Sequence, residues 1–278
     1  MSPLPPARQF SCPTASGAIY DHGAQVVSWV PAGQESVIWG SREARLDSRG
    51  PIRGGIPICW PWFGFGRGGL RQPQHGFARL AGWSLLDTVS AADAVSVTYQ
   101  LAGPGQDNFD QPYQLTYAVS FGRQLSADLT VRNVGRQPFS FEEALHTYLR
   151  VGDVRQIDIV GLDQAMYSDR GAGADPSPRR QVGDLRVAGE VDRVYQTAAP
   201  LTVIDPVLER RLVMTRRQSA NVVVWNPWIA RAKVMPDFGD DEWTTMVCTE
   251  TANVEDDAIE LEPGEEHTIG FTLAVEAL

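Results

Sequence analysis

The chain has 278 residues, 43% hydrophobic and 21% charged, with 24 basic against 34 acidic side chains and a formal net charge of −10. That composition supports a sizeable core and excludes disordered, collagen-like and coiled-coil chains. The acidic balance argues against nucleic acid as a partner, because neutralising phosphates needs surplus positive charge, and equally against docking on an anionic membrane.

Residues Met1-Ser2-Pro3-Leu4-Pro5-Pro6-Ala7-Arg8 form no apolar run of the signal-peptide kind. No later stretch reaches the roughly 18 apolar residues of a membrane-spanning helix. A cytoplasmic protein is the simple expectation. Cys12, Cys59 and Cys248 are far apart and odd in number, which predicts small buried thiols rather than a disulfide framework or a zinc site. His22, before Gly23, reads as a turn or surface residue.

Residues 50–79 hold eight glycines and four prolines with aromatics between them. The stretch reads as an irregular loop, and loops this long inside a compact domain tend to carry function. It contains His75, followed by Gly76, and four arginines: Arg53, Arg67, Arg71 and Arg79. Guanidinium forks suit a carboxylate or phosphate on a substrate. The alternative, open for Arg67 and Arg71, is pairing with the protein's own acids. Trp60 and Trp62 read as core or loop anchors, or as platforms for a sugar face.

From there the period is two. Residues 95–101, 114–121 and 125–131 place apolar side chains at alternate positions, the pattern of half-buried antiparallel strands. Gly103-Pro104-Gly105, Gly122 and Asn133-Val134-Gly135 punctuate them. His146 opens a further apolar strand. Residues 168–192 form a second polar, glycine-containing loop, with Gly171 to Pro176 at its centre. Residues 221–225 and 269–275 are β-branched runs, and the 19 prolines and 26 glycines leave no long helical window. Strand after strand without alternating helices predicts an all-β sandwich or barrel. No linker or repeat interrupts it, so residues 1–278 are expected to form a single domain.

Asp240, Asp241 and Glu242 read as a solvated acidic face, and His267, behind its charged run, as a surface residue. Glu250 differs, because it ends an apolar strand. A buried carboxylate has either a charge partner or a raised pKa, and both are ways to make a base. No P-loop, GxSxG, HExxH or EF-hand pattern occurs, so nucleotide hydrolysis, serine hydrolase and zincin chemistry have no motif.

Five blocks occur together: Arg53-Gly54-Gly55-Ile56-Pro57-Ile58-Cys59-Trp60-Pro61-Trp62-Phe63-Gly64, Gln74-His75-Gly76-Phe77-Ala78-Arg79, Ala144-Leu145-His146-Thr147-Tyr148, Asp192-Arg193-Val194-Tyr195, and Met246-Val247-Cys248-Thr249-Glu250-Thr251-Ala252-Asn253-Val254. In this order the set resembles the hexose-6-phosphate mutarotases (glucose-6-phosphate 1-epimerases), a branch of the aldose 1-epimerase family. The resemblance implies a galactose-mutarotase-like β-supersandwich with the sugar in a cleft on its concave side. It makes Glu250 the general base, His146 the general acid and His75 a second histidine at the ring end of the sugar. Arg53, Gln74, Arg79 and Asp192 fall on substrate-binding positions, the arginines as phosphate and hydroxyl clamps. Trp62 stands where some relatives carry a smaller or polar residue, which bears on hexose preference. The implied substrate is a small-molecule hexose phosphate, glucose 6-phosphate above others, with no cofactor, no metal and a monomer as the simplest assembly.

The residue types fit the chemistry. Mutarotation removes a proton from the anomeric hydroxyl and delivers one to the ring oxygen, and each transfer contributes ~10²–10⁴-fold in rate. His146 is then expected to be protonated near neutral pH beside its carboxylate. A glycosidase would need two carboxylates flanking the scissile bond. Two readings stand beside this one: the same isomerase reaction on unphosphorylated aldoses, and a non-catalytic sugar-binding module on the same fold.

Overall fold

A computed structural model describes residues 4–106, 108–175 and 177–278; Met1, Ser2, Pro3 and Pro176, which figure in the sequence reading, lie outside them. The described chain is built almost wholly of strands, and every ladder between named strands is antiparallel. The one α-helix among the described residues is Trp228–Ala232, too short to cross a membrane.

The stretches of period two form the larger sheet, which has nine strands. Val95–Gly103, Tyr113–Phe121 and Gln124–Asn133 are consecutive neighbours in it, and Glu266–Ala277 pairs with the last of them. Tyr113, Leu115, Tyr117, Val119 and Phe121 are buried, while the residues between them are half-buried or exposed. That alternation is what a strand with one core-facing side produces.

The second sheet has eight strands, and the site stands on it. At its centre Asn221–Asn226 pairs with Met246–Asn253, and every residue of both strands is buried. Strands covered on both faces lose the alternation and read as continuous apolar runs. One face of Met246–Asn253 meets the larger sheet, where the hydroxyls of Thr249 and Thr251 lie 3.9 and 3.8 Å from Met214 Sδ. The other face carries Cys248, Glu250 and Ala252. Under it Cys59, Phe63, Ala144, Val194, Val223, Ala252 and Val254 form a small apolar floor. A larger apolar cluster runs from Ala15 to Leu273 between the sheets.

Several expectations need correction. The two irregular stretches contain short ordered pieces: Ile58–Cys59 and the 3₁₀ turn Ala78–Leu80 in the first, Arg179–Arg180 and Leu185–Arg186 in the second. Trp60 and Trp62 are fully buried. Trp60 packs against Phe77, Phe109 and Tyr113, and Trp62 donates from Nε1 to the Pro73 carbonyl at 2.8 Å. Neither offers a face to a ligand; both anchor their loop. Glu242 is buried as well, accepting from Ser41 Oγ (2.6 Å), Arg42 N (2.9 Å) and Gly239 N (2.9 Å), while Asp240 and Asp241 are exposed as expected. His22 is buried with a ring nitrogen 3.1 Å from the Gly50 carbonyl, and His267 pairs with a buried glutamate, so neither is a free surface residue.

Candidate active site

Strand register brings the two central residues together. Leu145 pairs with Thr251 and Tyr148 with Cys248, so His146 falls opposite Glu250. The ladder breaks at that point: His146 N donates to the Pro57 carbonyl instead, at 3.0 Å. The side chains meet with Nε2 3.3 Å from Oε1. His146 Nδ1 and Glu250 Oε2 are buried with no protein partner among the described residues. His146 also stacks on Tyr148, with ring centroids 4.8 Å apart and planes 13° apart.

This pair faces a cavity of about 280 Å³ lined by Arg53, Gln74, His75, Arg79, His146, Asp192 and Glu250, the seven residues the sequence pointed to, together with Tyr148, Arg170, Trp225 and Arg231. At the small end of ligand pockets, which run to roughly 300–1,000 Å³, it suits a molecule of monosaccharide size.

His75 is held at both ends of the loop that carries it. Its backbone sits at φ +63°, and Gly76 beside it at φ +73° lies so close to the Trp60 carbonyl that a Cβ would stand 2.0 Å from the oxygen. Only glycine fits there. The Gly64 N–H donates to His75 Nδ1 at 3.2 Å, which makes Nδ1 an acceptor and puts the proton of the neutral ring on Nε2. Burial, reinforced by the charge of Arg79, holds His75 well below the usual histidine range. It is therefore a neutral imidazole with one N–H to offer.

A buried carboxylate braces this arrangement. Glu142 accepts from the Phe63 N–H at 3.1 Å and the Glu255 N–H at 2.8 Å. Phe63 packs edge-on against His75, at 4.7 Å between centroids. Glu255 in turn holds the Arg170 guanidinium, which lies 5.6 Å over the Phe63 ring. One side chain thus ties together the loop positioning His75 and the loop positioning Arg170.

The arginines divide. Arg53 grips Asp237 through Nε (3.3 Å) and a terminal nitrogen (3.2 Å), and donates from its other terminal nitrogen to Tyr148 Oη at 3.0 Å. Arg79 is buried, bonds only the Gln74 carbonyl (2.7 Å), and leaves its Nε without a partner among the described residues. Arg67 and Arg71 turn away: Arg67 holds the Glu255 carbonyl and Asp256, and Arg71 the Asn108 carbonyl with its guanidinium over Trp62.

The electrostatics correct one expectation. Burial, then the nearby Arg79 and Arg53, pushes His146 down to about 3, so the imidazole is neutral rather than protonated. Glu250 is driven the other way, chiefly by burial and next by Asp192. Asp192 itself is lifted by burial to about 6, against the pull of Arg170 and Arg231. Burial thus favours the uncharged form of each partner, carboxylic acid and imidazole.

Tyr148, Arg170, Arg231, Asp237 and Glu142 were not singled out from the sequence as site residues. Tyr148 stands two residues from His146 on the same strand direction, which is a usable signal. Arg170 and Arg231 carry no local signature, and Asp237 differs from its solvated acidic neighbours only through Arg53.

An all-β sandwich with a polar, monosaccharide-sized cavity on one sheet has the size and chemistry to take a sugar. The aldose 1-epimerase profile matches residues 13–274, so the chain belongs to the aldose 1-epimerase family and is an isomerase. It is 35% identical over 232 residues, 83% of this chain and 77% of the other, to an Escherichia coli protein provisionally named a glucose-6-phosphate 1-epimerase. A provisionally named mutarotase from Salmonella typhimurium superposes with a TM-score of 0.89 at 27% identity, over 97% of this chain and 90% of that one. A galactose mutarotase-like protein from Lactobacillus casei shares the fold at a TM-score of 0.74 and 16% identity, over 98% and 100% of the two chains. The galactose-mutarotase-like supersandwich expected from the sequence is the fold observed.

Proposed function

We propose that the protein interconverts the α and β anomers of an aldohexose 6-phosphate, glucose 6-phosphate foremost. The observation that carries this reading is the Glu250–His146 contact at 3.3 Å, open to a cavity that also holds a buried, acid-free arginine, Arg79. The name of the E. coli relative supports the substrate.

Glu250, as carboxylate, takes the proton of the anomeric hydroxyl while His146, as imidazolium, protonates the ring oxygen. The C1–O5 bond breaks, the aldehyde forms and C1 turns about C1–C2. At that stage the pair is carboxylic acid plus neutral imidazole, the form that burial favours. Closure on the other face returns both protons. His75 offers its Nε2–H to a sugar oxygen, Gln74 and Asp192 hold hydroxyls, and Arg53 and Arg79 receive the phosphate. The protein works as one domain, supported by the single large apolar cluster from Ala15 to Leu273. We take it to act as a monomer in the cytoplasm, where a phosphate ester that does not cross membranes would meet it.

Two-dimensional proton exchange NMR on glucose 6-phosphate at anomeric equilibrium tests this. Exchange cross-peaks should grow with catalytic protein and vanish in Glu250→Gln; no enhancement over the spontaneous rate would overturn the reading in favour of a sugar-binding module.

A further inference from the structure

Two cations look at His146 and only one of them is already neutralised. Arg53 reaches it through Tyr148, whose hydroxyl accepts from the guanidinium at 3.0 Å and whose ring stacks on the imidazole at 4.8 Å; its charge is shared with Asp237. Arg79 is 9% exposed, lines the same cavity, has no carboxylate within ion-pair distance among the described residues and keeps Nε unpartnered. A buried guanidinium without an acid is costly, and an anion in the cavity would supply the counter-charge. The other charged and titratable groups around the cavity are Glu250 from the neighbouring strand, His75 from the glycine-rich loop, Asp192, and two further cations that have acids of their own, Arg170 on Glu255 and Arg231 3.9 Å from Glu190.

We propose that the phosphate of the substrate acts on turnover as well as on binding: seated against Arg79 and Arg53, it cancels the positive charge facing His146 and so converts the resting Glu250–His146 pair into its working form. This rests on the hexose-phosphate reading. The step balances internally. The proton leaves the Glu250 carboxyl and arrives on His146 Nε2, giving carboxylate and imidazolium with no net uptake. Cancelling Arg79 and Arg53 removes the two charges that hold His146 down, while Arg170 remains to favour the Glu250 carboxylate. The chemistry of the sugar agrees. Only C5, C6 and O6 separate the ring oxygen from phosphorus, so a phosphate beside His146 brings the oxygen it must protonate within reach. An unphosphorylated aldose fills the same cavity and leaves His146 uncharged.

The experiment separates the phosphate from the sugar. Saturation kinetics by exchange NMR are run on the full chain with glucose 6-phosphate, with glucose, and with glucose plus millimolar inorganic phosphite. The expected result is a kcat for glucose 6-phosphate about 10²-fold above that for glucose, the size of one acid–base contribution, and a several-fold rise in glucose turnover on adding phosphite that Arg79→Gln loses. Equal kcat values with only KM differing would mean uniform binding and overturn the inference while leaving the epimerase intact. No rise with phosphite overturns it equally, and the wild-type measurement stands even where Arg79→Gln fails to fold. Full phosphite activation in a folded Arg79→Gln protein overturns the part given to Arg79. Absence of catalysed exchange with either sugar strikes the epimerase reading itself.

Discussion

The site sheet carries two glutamate–histidine pairs on nearly the same footing. Glu250 meets His146 at 3.3 Å, and Glu143, paired with Asn253 at the end of the same central strand, meets His267 at 3.0 Å. Both glutamates are buried, both leave one carboxylate oxygen without a partner, and burial raises both. Their surroundings differ. Asn253 Nδ2 caps the second pair, 2.9 Å from Glu143 Oε1 and 3.2 Å from His267 Nε2, and His267 belongs to the larger sheet, so that pair rivets the two sheets together. The first pair has no such cap and opens on the cavity. The same two side chains make a fastener where a third group caps them and an open pair where none does.

Substitution at the two glutamates should pull the pairs apart. Glu250→Gln is expected to lower anomer exchange by ~10²–10⁴-fold with the thermal midpoint nearly unchanged. Glu143→Gln should reverse the pattern, costing about 1–3 kcal/mol of stability with exchange within a few-fold of wild type. Denaturant titration alongside exchange NMR reads both, and loss of exchange in a stably folded Glu143→Gln protein would erase the distinction. Glu142→Gln lies between the extremes. It replaces an acceptor of two backbone N–H groups by a side chain that must point a donor at one of them, so turnover should fall about 10-fold through misplacement of His75. Nitrogen-15 NMR of labelled histidine should show His75 losing its fixed Nε2–H tautomer; a turnover loss with the tautomer intact would refute the positioning role.

The smallest effect is a pH limb. Asp192, at about 6, is protonated below that value and a hydroxyl-accepting carboxylate above it. KM should therefore fall a few-fold as pH rises through 6, and Asp192→Asn should lose the limb. Linkage has the opposite sign for folding. Its folded pKa of about 6 exceeds the ordinary 3.8, so the native state holds the extra proton between those values and this side chain's contribution weakens as pH climbs across that window. A limb that survives in Asp192→Asn belongs to another group.

The centre of the larger sheet was legible because its strands bury one side; the alternation of Tyr113–Phe121 is printed in the residue order. The site sheet was harder, since Asn221–Asn226 and Met246–Asn253 are covered on both faces and their pattern says only apolar. Of the site, the histidines, Glu250 and the loop arginines could be found as blocks. Arg170 could not, because what brings it to the cavity is the Glu255 carboxylate, 85 positions away in the chain. Trp60 and Trp62 left two readings open, anchor or sugar platform, because glycines and prolines around them mark an irregular backbone; that backbone is threaded through the core, and both are anchors. The charge state of His146 was equally out of reach, as it depends first on burial and then on two guanidinium groups that the 50–79 stretch brings to it.

The interrupted ladder at His146 has a consequence for descent. The histidine faces Glu250 because the residue count between Leu145 and Tyr148 equals that between Cys248 and Thr251. A side-chain exchange at this point changes one contact and leaves the register intact. A change of length shifts it: a single codon gained or lost in either strand would move His146 out of line and turn its neighbours inside out.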